Sequence, residues 1–128
     1  MESRVIRVLV VDHNTLMREG LALLVRLQPD MHLVGTAATA EEAVRMYLEE
    51  RPDLTLLDLD MASLAALGAI RRIRAHDPDA RIIGLATYER DAMWTGALAA
   101  GACRCVAKNE LSGRLPRLIR EGSSRRIE

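Results

Sequence analysis

Apolar and polar positions change period along this chain in a way that separates strands from helices. Residues 5–11 form an apolar run rich in β-branched side chains that stops at Asp12, the pattern of a strand covered on both faces. Leu16, Gly20, Leu23 and Leu27 then line one side of a helix, with Met17, Leu21 and Leu24 beside them. Asn14 or Thr15 suits its N-cap, and Pro29 marks its end. Residues 32–35 read as a short second strand. Thr39 opens a second helix with Glu42 three positions on, a capping-box spacing, and Ala43, Val44, Tyr47 and Leu48 make its apolar face. Pro52 and Asp53 break the chain before a third strand, residues 54–57, which ends at Asp58.

A third helix is expected over about residues 63–75, with Leu64, Leu67, Ile70 and Ile73 inward, Arg71, Arg72 and Arg74 outward, and Pro78 beyond its end. Residues 82–85 are the fourth strand. The fourth helix, about residues 91–100, is poor in large side chains and meets Gly101 where a C-terminal cap belongs. Residues 104–107 are the fifth strand. The last helix begins near Glu110 and carries Leu111, Leu115, Leu118 and Ile119; Pro116 either kinks it or marks where its regular part starts. Five strands alternating with five helices predict a parallel sheet with helices on both faces, a single doubly wound α/β domain.

Composition removes several function classes. The 128 residues are 49% hydrophobic and 28% charged, ordinary for one globular domain. Eighteen basic residues balance eighteen acidic ones, so no bulk charge recruits nucleic acid or an anionic membrane. The charge-free stretch near the middle, residues 61–70, is too short to span a bilayer, and Arg4 and Arg7 interrupt the first apolar segment, unlike a secretory signal. Tyr47, Tyr88 and Trp94 are the only aromatics, which disfavours base stacking. The C-x-C pair, Cys103 and Cys105, is weak evidence for a metal and suits a reducing compartment. The expectation is a small cytoplasmic domain that binds neither membrane nor nucleic acid; the arginines at 114, 117, 120, 125 and 126 read as a solvated helix face running into a linker.

Parallel sheets gather ligand groups outside the carboxyl ends of their strands. Those ends are Asp12, Asp58, Ala86 with Thr87, and Lys108. Two acids, a hydroxyl and a lysine on one rim suit phosphoryl chemistry: a carboxylate as nucleophile, a second acid to hold a hard cation, and a lysine to neutralise phosphoryl oxygens. The competing reading is plain, since an Asp after a strand is often only a helix cap.

The run Arg7-Val8-Leu9-Val10-Val11-Asp12 followed by Leu16-Met17-Arg18-Glu19-Gly20-Leu21 resembles the opening of a bacterial response-regulator receiver domain of the LuxR/NarL-type subfamily. Pro52-Asp53-Leu54-Thr55-Leu56-Leu57-Asp58-Leu59 resembles the phosphoacceptor segment, and Gly101-Ala102 with Val106-Ala107-Lys108 the fifth-strand signature. The resemblance covers about residues 4–122, so residues 1–122 read as one receiver domain and residues 123–128 as a tail or the start of a linker. It implies a flavodoxin-like (βα)5 fold with strand order 2-1-3-4-5. It also implies a non-enzymatic signal acceptor: Asp58 takes a phosphoryl group from a sensor histidine kinase, Lys108 contacts it, and Asp12, Asp58 and the Asp60 backbone carbonyl surround Mg²⁺. The output would be transcription, through a DNA-binding domain if the natural chain is longer; a homodimer stays open. The resemblance also places signalling contacts on the fourth helix, fifth strand and fifth helix, where Trp94 is either an exposed anchor or a partly buried packing residue.

Several positions depart from that pattern. His13 stands where the family has a second acid, which predicts weak Mg²⁺ binding and impaired phosphorylation. A softer metal through His13 is the alternative to a plain surface histidine. The switch hydroxyl position is Ala86, with Thr87 adjacent, and the strand-five aromatic is Cys105, so the switch is degenerate. Ala62-Ser63 replaces the usual Pro-Gly. Two other functions compete: a phosphorylation-independent interaction or dimerisation module, and a flavodoxin-like cofactor binder. Against the latter, no glycine-rich loop follows the first strand and no aromatic is placed to stack on a flavin.

Overall fold

A computed structural model describes residues 4–61 and 64–123. The chain alternates β1 (Ile6–Val11), α1 (Thr15–Arg26), β2 (Met31–Ala37), α2 (Ala40–Glu50), β3 (Leu54–Asp58), α3 (Ala65–His76), β4 (Ile82–Ala86), α4 (Ala92–Ala100), β5 (Arg104–Ala107) and α5 (Leu115–Ser123). The five strands are parallel in the order β2-β1-β3-β4-β5. The expected doubly wound sheet and its order are both observed.

The strands form where apolar residues run continuously because both faces of the sheet are covered. Leu9, Val11, Leu57 and Ile82 meet α2, α3 and α4 on one face; Val8, Val10, Leu54, Leu56, Ile83 and Leu85 meet α1 and α5 on the other. Helix starts follow local chemistry. Asn14, rather than Thr15, caps α1 by accepting from Met17 N at 2.9 Å. Thr39 accepts from Glu42 N at 3.1 Å, while the Glu42 carboxylate accepts from Ala38 N at 2.9 Å. Asp91 caps α4 through Trp94 N.

Some expectations shift. On α1 the buried residues are Leu21, Ala22 and Val25, whereas Leu16, Leu23, Leu24 and Leu27 are exposed. Leu64 precedes α3 with φ 58° and faces solvent, so it is not part of the inward row, and Leu48 lies at the edge of exposure. Lys108–Glu110 form a 3-10 turn, and α5 begins only at Leu115, which puts Pro116 in its first turn, where a missing N–H costs nothing. Ser123 ends α5 instead of starting a tail. The replacement at Ala62 and Ser63 and the arginines at 125 and 126 lie outside the described residues.

Candidate functional site at the carboxyl rim

Register decides which chain positions meet. Val11 pairs with Leu57, so the residues after them, Asp12 and Asp58, leave the sheet side by side, at the point where the winding direction reverses. Ala86 pairs with Ala107, which brings Lys108 to the same rim. Gly84 helps fix the end of β3: a Cβ there would lie 2.8 Å from Leu59 Cδ1, so any larger residue would displace the buried side chain just past Asp58.

Asp12 and Asp58 are both fully buried. Lys108 Nζ donates to Asp58 Oδ1 at 2.9 Å and lies 3.1 Å from Asp60 Oδ2 and 3.6 Å from Asp12 Oδ2. Asp58 Oδ1 also accepts from Asp60 N at 2.8 Å. The other oxygen, Oδ2, contacts the Nδ1 of His13, whose side chain is 53% exposed, and that same nitrogen is 3.7 Å from Asp12 Oδ1. Asp12 Oδ1 accepts from Asn14 N, while Asp12 Oδ2 accepts no hydrogen bond. The four rim positions read from the strand ends therefore do converge, with Asp12, Asp58 and Lys108 in one cluster.

The electrostatics are asymmetric. Burial drives the Asp12 carboxyl above its ordinary range; the Asn14 N–H opposes this, and the Asp58 charge adds to it. Burial pushes Asp58 the same way, but hydrogen bonds from Lys108, His13 and Asp60 N outweigh it and hold this carboxyl low. Burial opposes the charge on Lys108, yet the hydrogen bond to Asp58 and the surrounding carboxylates keep the ammonium protonated above its usual range. Asp58 is thus held as an anion with one oxygen fixed by a lysine.

Two contacts escape a reading of strand ends. The Asp60 carboxylate, expected to matter only through its backbone, accepts from the Thr87 hydroxyl at 2.6 Å and faces Lys108. Arg18 donates to the Asp12 carbonyl at 2.9 Å from the first turn of α1. Its spacing after the Asn14 cap was the sole sequence signal. Cys105 is buried, with its thiol pushed up to about 11 by that burial and its Sγ 3.6 Å from the Trp94 carbonyl. It behaves as a core residue; Trp94 is itself partly buried against that core.

The response regulator receiver domain family matches residues 8–120. The chain belongs to this family. As a receiver, it is 32% identical over 118 residues to the transcriptional regulatory protein LiaR of Bacillus subtilis (strain 168), an overlap of 92% of this chain and 56% of LiaR. It is 33% identical over 103 residues to the response regulator GacA of Pseudomonas viridiflava, covering 80% and 48% of the two chains. The chain spans about half the length of these curated relatives. The response regulator domain of Thermotoga maritima CheB superposes with a TM-score of 0.86 at 31% identity, covering 97% of this chain and all of that one. The NarL receiver domain of Mycobacterium tuberculosis superposes with a TM-score of 0.87 over 96% and 99% of the two chains; at 23% identity, that likeness is one of fold.

The receiver family implies Mg²⁺ in this pocket, and the donors present fit it only in part. Two carboxylates, one with an oxygen that lacks a hydrogen bond, are the oxygen ligands a hard cation prefers. The third group within reach is the imidazole of His13, a nitrogen donor that Mg²⁺ seldom accepts. Ala86 is fully buried and offers no hydroxyl, and Thr87, the first residue past β4, spends its hydroxyl on Asp60. No helix among the described residues is long and apolar enough to cross a membrane.

Proposed function

We propose that Asp58 accepts a phosphoryl group from the phosphohistidine of a sensor histidine kinase. The observation that carries this reading is the Lys108 ammonium 2.9 Å from one oxygen of a buried, anionic Asp58. An Asp58 oxygen attacks phosphorus, the P–O bond forms as the P–N bond breaks, and the electron pair leaves with the donor imidazole. Lys108 then neutralises the phosphoryl oxygens, the electrostatic part of such catalysis. When bound, a divalent cation would neutralise further charge there, with Asp12, Asp58 and the Asp60 carbonyl as the residues to hold it.

Acceptance is impaired in this receiver. With Lys108 and Asp60 N on Oδ1, the oxygen left for attack is Oδ2, and His13 covers it. His13 must swing toward solvent before phosphorus can approach, and its half-exposed ring has room to do so. A groove of about 860 Å³ runs from His13, Thr87 and Lys108 along the leucines of α1, an approach for a donor helix beside the reactive atom.

The output is transcription, through a DNA-binding domain if the natural chain is longer or through a partner, as the name of the relative LiaR, a transcriptional regulatory protein, suggests. Residues 1–122 act as the receiver in the cytoplasm, catalyse no reaction on another substrate, and bind no nucleic acid themselves. A second reading, a phosphorylation-independent interaction or homodimerisation module, is favoured by one observation: neither Ala86 nor Cys105 carries the group that would report the phosphoryl oxygen.

Intact-mass measurement after incubation with a small phosphodonor and Mg²⁺ separates the two. A phosphoryl increment that is slow to form and missing in Asp58→Asn supports the acceptor reading. An unmodified protein at saturating Mg²⁺ favours the interaction module.

A further inference from the structure

Where the receiver family has a second acid, this pocket carries a nitrogen donor. One ligand atom from each of Asp12, His13 and Asp58 lies within 4.8 Å of the other two. His13 Nδ1 sits between the carboxylates, touching Asp58 Oδ2 and 3.7 Å from Asp12 Oδ1. A second observation points to a missing positive partner. Asp12 Oδ2 belongs to a fully buried side chain, accepts no hydrogen bond, and among the described residues its cation is the Lys108 ammonium, 3.6 Å away. Three carboxylates face one ammonium here, with Arg18 at the edge on the Asp12 carbonyl. A dication would offset the remaining negative charge.

We infer that this pocket binds a borderline first-row transition dication, through the His13 imidazole and one oxygen each from Asp12 and Asp58, in preference to Mg²⁺. Mg²⁺ demands a near-octahedral oxygen shell and sheds water reluctantly. Co²⁺, Ni²⁺ and Zn²⁺ gain from each imidazole that replaces an oxygen, and affinity for a mixed nitrogen and oxygen site rises from Mn²⁺ through Co²⁺ and Ni²⁺ to Cu²⁺ before falling at Zn²⁺. His13 is exposed enough to pivot outward, admit the ion between the carboxylates, and close on it from the solvent side. The inference rests on reading this pocket as a dication site, and not on phosphoryl transfer to Asp58.

The test titrates Co²⁺ and Mg²⁺ separately into the tag-free protein with no phosphodonor present, following Co²⁺ visible absorption and the thermal midpoint. Co²⁺ should also shift an imidazole N–H proton resonance far outside the normal range, and that resonance should vanish in His13→Ala. His13→Asp should lower the ratio of Co²⁺ to Mg²⁺ affinity by about tenfold or more, mainly by tightening Mg²⁺. His13→Ala should weaken Co²⁺ by a similar factor while leaving the circular dichroism unchanged. Co²⁺ affinity that is the same in wild type and His13→Ala overturns the inference, because the ion would then sit on other groups. An affinity ratio unmoved by His13→Asp overturns it as well. Mg²⁺-dependent phosphorylation of Asp58 alongside either of those results leaves the acceptor reading intact. Co²⁺ on His13 without phosphorylation leaves the metal site intact.

Discussion

β3 begins just after one aspartate and ends on another, and the two do different work. Asp53, at the amino end, accepts a hydrogen bond from Arg7 N at 2.8 Å, while its own N–H donates to the Arg7 carbonyl at 2.7 Å. Among the described residues its cation is Arg4, 3.5 Å away on a side chain that is 77% exposed. Asp53 thus closes the seam between β1 and β3. Asp58, at the carboxyl end, is fully buried, shares its surroundings with Asp12 and Asp60, and has a lysine on one oxygen and a histidine on the other. The same residue type at the two ends of one strand is structural where it meets backbone, and chemical where several charges are forced together. Conflict among charges distinguishes a reactive site from a capped end.

The sharpest way to break this comparison is to neutralise each aspartate in turn. Asp58→Asn should abolish the phosphoryl mass increment, and Asp53→Asn should leave its rate within about twofold, because that carboxylate lies at the opposite end of the strand. Loss of the increment in a folded Asp53→Asn protein would mean that the two ends are not independent. Stability should divide the other way. Asp53→Ala strands the Arg7 N–H in a half-buried seam and should cost about 1–2 kcal/mol in urea unfolding, whereas Arg4→Ala, which removes only a solvent-exposed ion pair, should cost less than about 0.5 kcal/mol.

The sequence was informative where a single physical rule governed and ambiguous where two competed. Continuous apolar runs ending at Asp12 and Asp58 placed the strands and their rim, because a parallel strand covered on both faces is apolar along most of its length. Helix α1 was ambiguous because leucines occupy more than one of its faces. Periodicity selects Leu16, Leu23 and Leu27, yet burial falls on Leu21, Ala22 and Val25, and Leu16 remains 80% exposed. Only packing against the sheet and α5 distinguishes one apolar row from another. At the rim, Asp12, Asp58 and Lys108 could be read from strand ends. The Thr87–Asp60–Lys108 chain could not, because it depends on where two loops turn after leaving the sheet. The contact between His13 and Asp58 likewise depends on a side-chain rotamer that no spacing encodes.

A subtler test asks what the rim costs the fold. Burial and the neighbouring Asp58 disfavour the charged form of Asp12, so Asp12→Asn should stabilise the protein at neutral pH by about 1 kcal/mol, a gain typical of relieving a functional site and worth a few degrees in the thermal midpoint. Asparagine keeps the oxygen that accepts from Asn14 N and removes the charge that burial and Asp58 disfavour. The sign of the pH dependence follows from linkage. Because the folded-state value of Asp12 is raised, its destabilising effect is complete above that value, shrinks as pH falls through it, and is gone below the ordinary carboxylate value near 3.8. The advantage of Asp12→Asn should therefore shrink on acidification. Asp58 is depressed, so its contribution to stability is present above the ordinary value and lost as pH falls through the lower folded one; that loss occurs in both proteins. Urea unfolding of the two proteins at pH 7.5 and at about pH 4.5 checks the trend. An advantage that stays constant or grows with acid would mean that Asp12 rests comfortably as an anion, and the charge conflict that separates the two ends of β3 would lose its main support.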